Sequence, residues 1–199
     1  MSKIIVILTS FFFSATVIAE SPILFKPPSS GAPSAQRGGG TRGSSYTSVA
    51  IQALVPQEHI ALTSQESPTL YWHISQAAPY NVEFSLSVEN SGEIIVEDLL
   101  PPVTKAGIQS ITLSAFNVKL QEGTTYLWSI ALVVDPNDRA KDILISTAMR
   151  REHTIIDLND AAQLAQAGFW YDTLHYVSDK KPSQVSALLK QIGITLGEK

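Results

Sequence analysis

The side chains best placed to do chemistry in this 199-residue chain fall in two short clusters. The first is Asp135-Pro136-Asn137-Asp138-Arg139. Clustered oxygens are what a hard cation needs, so Asp135, Asn137 and Asp138 could hold calcium or a polar ligand, with Arg139 beside them. The run lacks the glycine and the bidentate glutamate of an EF-hand loop. It also spells a turn: Asp135 caps through its side chain, Pro136 presets φ, Asn137-Asp138 complete the bend, and Arg139 pairs with a nearby acid. The turn is the expected reading and the ligand site its alternative. The second cluster is Phe169-Trp170-Tyr171-Asp172. Three consecutive rings cannot all face one helical stripe. Either they form a docking surface for a partner protein, where aromatics are enriched, or they bury a seam between helices and the rest of the chain. The seam is favoured, because short helices need one.

Other chemistries are excluded or unmarked. Without cysteine there is no thiol nucleophile and no zinc-thiolate site. His59, His73, His153 and His175 are scattered, and no pair has the HExxH spacing that puts two imidazoles on one metal. There is no GxSxG elbow, P-loop or GxGxxG run; the glycines at Gly38–Gly40 have no strand before them and no helix after. A serine triad assembled from distant residues stays open, with nothing to single out its members. No cofactor is expected.

The elements that would position these residues read as short strands. Leu120, Gly123 and Tyr126 have the spacing of a tyrosine corner, in which a buried hydroxyl ties back to backbone upstream. Val82, Phe84, Leu86 and Val88 alternate with Glu83, Ser85 and Ser87, the period of a half-buried strand, and Asn90-Ser91-Gly92 then turns the chain back. Leu70, Trp72 and Ile74 alternate likewise, which places Trp72 in the core. Strands are expected at 47–55, 69–75, 82–89, 93–98, 109–113, 125–134 and 142–150. Seven strands in about a hundred residues predict an immunoglobulin-like or fibronectin type III-like β-sandwich over 46–153, with an open barrel as the rival. After His153 the period becomes helical. Leu158, Ala161, Ala162, Ala165 and Phe169 share one face; Trp170, Leu174 and Val177 follow; Pro182 opens a third stripe of Val185, Leu188, Leu189 and Ile192. The run LAQAGFWYDTLHYV resembles the turn between paired helices of a tetratricopeptide repeat, over less than one repeat of about 34 residues. The region 154–199 is therefore a small α-helical tail.

The N-terminus predicts compartment. Lys3, the apolar run Ile4–Ala15 and the small residues of Val17-Ile18-Ala19 read as a signal peptide over 1–19, too short to span a bilayer comfortably. Export to a periplasm or beyond is expected, with no membrane anchor after cleavage. From Glu20 to Ser45, four prolines and the run Arg37–Gly43 have the composition of a disordered linker. The formal charge of −4, from 14 basic and 18 acidic residues, gives no basic face for nucleic acid.

With these pieces in order, the chain resembles the bacterial envelope family known as domain of unknown function number 928, from about Arg37 to the C-terminus. The resemblance rests on GGGTRG (Gly38–Gly43), ALVP (Ala53–Pro56), SPTLYWHI (Ser67–Ile74), GTTYLWSI (Gly123–Ile130), DPNDR (Asp135–Arg139) and AGFWYDTL (Ala167–Leu174). Each piece is short; their order and spacing are specific. The resemblance implies an exported protein with a β-rich body, a helical tail and no assigned activity. Relatives look to carry cysteines shortly after TRG and just before DP, where this chain has Ser44-Ser45 and Val134. Their joint loss implies a dispensable disulfide, not a catalytic or metal pair. The expected function is a non-catalytic envelope module that binds a protein partner. The alternatives are a carbohydrate- or small-ligand-binding sandwich, calcium-dependent at the Asp135 loop, and, more distantly, a hydrolase whose site meets only in three dimensions.

Overall fold

A computed structural model describes residues 22–28 and 48–196. The segment expected to be a signal peptide, the GGGTRG run, Ser44-Ser45 and most of the expected linker lie outside the described residues.

The chain is mainly β, in two sheets. The smaller runs β1 (Ile51–Ala53), β3 (Thr69–Ile74), β6 (Gly107–Thr112), and the larger β2 (Ala61–Thr63), β8 (Ile143–Arg151), β7 (Thr125–Val133), β4 (Asn81–Val88), β5 (Ile94–Leu100). Every neighbouring pair is antiparallel except β2 with β8. Alternation places the core. Leu70, Trp72 and Ile74 of the small sheet and Val82, Phe84, Leu86, Tyr126, Trp128, Ile130 and Leu132 of the large one share a single hydrophobic cluster. The intervening Glu83, Ser85, Leu127 and Ser129 look outward, half-buried. Trp72 is core, as its alternation requires.

The tyrosine spacing delivers its bond. Tyr126 is buried, and its hydroxyl accepts the Gln121 N–H at 2.7 Å, five residues upstream. Arg151 seals the same corner by donating to the Leu120 carbonyl at 2.6 Å. Between β4 and β5 the turn closes at Gly92, whose φ of +69° few other residues adopt; its N–H donates to the Val88 carbonyl at 2.8 Å.

Three expectations need correction. β1 spans only three residues of the expected 47–55, of which 47 lies outside the described residues. β2 carries no periodic signal because it also has three residues, held by parallel pairing to Met149–Arg151 of β8. Residues 22–28, composed like a disordered linker, are docked on the helical tail. Ile23 is buried, the Phe25 N–H donates to Gln191 Oε1 at 2.8 Å, and the Lys26 N–H donates to the Ala165 carbonyl at 3.0 Å.

The tail holds α1 (Ala161–Gln166), α2 (Trp170–Lys180) and α3 (Val185–Lys190), the last entered through a 3₁₀ turn at Pro182–Gln184. Asp160 caps α1 by accepting the Gln163 N–H at 3.0 Å. Leu158 therefore lies before the helix and is exposed, not part of its apolar stripe.

Candidate functional site

The four residues of the aromatic cluster are all buried inside the chain, so the seam is what they form. Trp170 Nε1 donates to the Leu54 carbonyl at 2.8 Å, and Trp128 Nε1 donates to the Tyr171 hydroxyl at 2.8 Å. Burial pushes the Tyr171 hydroxyl far above the usual phenol range. Asp172 receives Thr63 Oγ1 at 2.7 Å on one oxygen, and Ser64 N–H at 2.8 Å and Ser64 Oγ at 2.6 Å on the other. Sitting in the first turn of α2, it also faces the positive end of the helix. This constellation fastens the tail to the end of β2, at Thr63 and Ser64. Phe169, Trp170, Tyr171 and Asp172 thus present no docking surface, because the short helices use them to bury their junction with the sheets.

The Asp135 loop is likewise a turn. Asp135 Oδ1 accepts the Asn137 N–H at 3.0 Å, and Asp135 Oδ2 is paired with Lys141 Nζ at 2.8 Å. Lys141 also reaches Asp138 at 3.3 Å, while Arg139 grips Glu83 through both terminal nitrogens, at 3.1 and 2.9 Å, and pairs with Asp142. The hydrogen bond from Lys141 and then that from Asn137 hold the Asp135 carboxyl below the usual range. Oxygens engaged in this way are not a cation cage, and no group of three or more acidic or histidine side chains among the described residues could hold a metal.

What the molecule does present is the outer face of the large sheet. The strand registers set its rows: Leu99, Glu83, Ala131, Leu144; then Glu97, Ser85, Ser129, Ser146; then Ile94, Ser87, Leu127, Ala148. The centre is small and weakly polar, with Ser85 and Ser129 hydroxyls joined at 2.7 Å. Three of its corners are large and apolar, with Ile94 63% exposed, Leu99 55% and Leu144 46%, while the fourth, Ala148, is small and buried. Glu83 is neutralised by Arg139. Apolar at three corners and carrying the exposed Glu97 at one margin, such a face can bury area against another protein. The free edge beside it is blunted. A register irregularity at Leu86/Ser87 bends the β4–β5 pairing, and Asp98 occupies the inward register opposite Phe84; both devices deter strand addition.

Sequence reasoning passed over Leu99 and Leu144. A signal existed in β7, where the outward positions Leu127 and Ala131 are apolar like the inward ones, which a solvated face would not require. In comparison with known proteins, residues 37–195 match a family described as Domain of Unknown Function (DUF928), and no curated protein matches the chain.

Proposed function

This chain belongs to the Domain of Unknown Function (DUF928) family, and from that premise we propose that it is a non-catalytic interaction module of the bacterial envelope that binds a protein partner. The observation that carries the reading is the outer face of the large sheet, with Ile94, Leu99 and Leu144 exposed around a field of serine and alanine. Residues 1–19 act in this proposal as a cleaved signal peptide, which Lys3 and the apolar run after it support. No helix among the described residues is long and apolar enough to cross a membrane. We read the two sheets as an immunoglobulin-like sandwich, supported by the Tyr126 hydroxyl on the Gln121 N–H and by the strand orders. The pair α1–α2 is then the repeat-like α-hairpin, serving as a buttress.

A photo-crosslinking residue at Ser146, at the β8 end of the middle row of the face, tests this in the producing cell. One discrete protein adduct is expected, absent when the crosslinker sits at the exposed Lys119 and reduced at least tenfold by Leu99→Arg with Leu144→Arg. No adduct at Ser146, or the same adducts from both positions, overturns the reading.

A further inference from the structure

The loop between β1 and β2 carries His59, which is only 9% exposed. Trp170 of α2 holds the start of this loop through the Leu54 carbonyl. Phe25 of the N-terminal segment stacks on the imidazole, with centroids 5.7 Å apart and planes 19° from parallel, and meets Trp170 edge-on. Side chains of the helical tail hold the segment in this place. Gln191 accepts the Phe25 N–H on Oε1 at 2.8 Å and donates Nε2 to the Ile23 carbonyl at 2.7 Å. Gln166 Nε2 donates to the Leu24 carbonyl at 3.1 Å.

His59 Nε2 is shut off from solvent and has no hydrogen-bond partner among the described residues. A neutral imidazole tolerates this, because one of its two nitrogens carries no proton and Nε2 can be that one. An imidazolium cannot. Both nitrogens then carry protons, and Nε2–H becomes a charged donor with neither acceptor nor water. Burial accordingly lowers the His59 value, against the smaller opposing effect of the Glu58 charge. Glu58 is exposed, lies in the same loop, and is the only other titratable residue lining the cleft between this loop, the segment and the tail. The segment's one charge, Lys26, is exposed; α2 faces the site with Trp170, and the chain after α3 with Gln191 and Ile192. None of these adds a charge that acts on the ring. A protonated ring would gain a cation–π attraction from Phe25, which is weaker than the penalty of an unmet buried charge.

Of the rings gathered here, Trp170 is fully buried in the core, whereas Phe25 is only partly buried and belongs to the segment that lies on the tail. Phe25 is therefore the cover that can lift. We propose that protonation of His59 releases residues 22–28 from the helical tail, so that the N-terminal segment is a pH-sensitive clasp. Lifting Phe25 lets water reach the ring and supplies the acceptor that Nε2–H lacks. The sign follows from linkage. Above about pH 6.5, the ordinary histidine value, the ring is neutral in both states and pH has no effect. Below it the uncovered ring takes up a proton that the covered ring refuses, so the docked state loses ground until the covered ring titrates too. The clasp is separate from the outer sheet face and stands or falls independently of it.

Amide exchange of the ¹⁵N-labelled protein between pH 8 and 5 tests this, because protection factors, corrected for intrinsic rates, read the ratio of docked to released segment. The Phe25 and Lys26 amides, bonded to Gln191 and Ala165, are expected to keep constant protection down to about pH 6.5 and then lose up to tenfold per pH unit. The β4 amides should stay far better protected throughout. In His59→Gln the Phe25 and Lys26 protection should be flat across the range. Constant protection below pH 6.5 in the wild type, the same slope in His59→Gln, or protection equal to that of β4 overturns the clasp. Phe25→Ala supplies a second measurement at a partly buried position. By reciprocity it should raise the His59 midpoint, followed on the ring Cε1–H signal, toward 6.5. An unmoved midpoint overturns the proposal, and this holds even where His59→Gln does not fold.

Discussion

Asp172 sits between two opposing influences. Burial pushes its carboxyl up; the Ser64 hydroxyl, the Ser64 N–H, the Thr63 hydroxyl and then the charge of His175 pull it down, and burial prevails. A carboxyl with a raised value in the fold holds its proton where the unfolded chain has released it. Its contribution to stability is therefore complete below the unfolded value of about 3.9 and is lost as pH rises through the folded value. Asp172→Asn cannot titrate, so urea melts across pH 4 to 7 should show wild type losing ground to the variant as pH rises. At the acid end, where the wild-type carboxyl is protonated and as neutral as the amide, the wild type should stand best relative to the variant. A gap that widens with pH would mean that the donors outweigh burial. Tyr126→Phe is simpler: it removes the bond to the Gln121 N–H and should cost about 0.5–1.5 kcal/mol in chemical melts with the fold intact. Tyr126 was legible because its partner is five residues away, whereas Asp172 was not, because Thr63 and Ser64 lie more than a hundred residues upstream.

At the scale of elements, the N-terminal segment and the α1–α2 turn depend on each other. Gly168 ends α1 with a φ of +86°, and a Cβ there would stand 3.0 Å from Pro28 Cδ. Gly168→Ala therefore combines left-handed strain of roughly 1–2 kcal/mol with displacement of the segment. Hydrogen exchange should reveal it: the Phe25 and Lys26 amides, bonded to Gln191 and Ala165, are expected to lose protection well before those of β4. Equal loss everywhere would show a global effect and no specific link. Phe25 also stands edge-on to Trp170, with centroids 4.8 Å apart, and is stacked on His59 at 5.7 Å. The strands from β3 to β8 were readable because each runs six residues or more, long enough for an alternating or continuous apolar pattern to show. Three-residue β2 offers too few positions for any period. Ile23, Leu24 and Phe25 form a short apolar run, but between prolines whose composition spoke for a linker. Their partners Trp170 and Gln191 are more than 140 residues downstream, beyond the reach of a local pattern.

For the whole molecule, the question is whether the sheets can stand without the tail. The two-part reading of the sequence, sandwich then helices, treats 46–153 as self-sufficient, because composition and period both switch near His153. The core does not divide there. Trp170, Tyr171, Leu174, Val177, Leu188 and Leu189 belong to the same cluster as Leu54, Leu70 and Trp128. Ending the chain at His153 would strip the acceptor from Trp128 Nε1, the donor from the Leu54 carbonyl and the shared carboxylate from Thr63 and Ser64. Losing the burial of Trp170, Tyr171 and Leu174 alone removes roughly 5–9 kcal/mol, at about 1.5–3 kcal/mol for each large side chain. A domain's entire margin is about 5–15 kcal/mol. The truncated chain should therefore show no cooperative thermal transition, while the full chain melts in a single one. By contrast, Leu99→Arg with Leu144→Arg changes only exposed positions and should shift stability by no more than about 0.5 kcal/mol per site. Running both variants beside the wild type in calorimetry separates the two surfaces: the tail seam is needed to fold, and the outer sheet face is free to bind. A truncated chain that still melts cooperatively within a few degrees of the wild type would show that the sheets form their own unit and that the tail is an accessory.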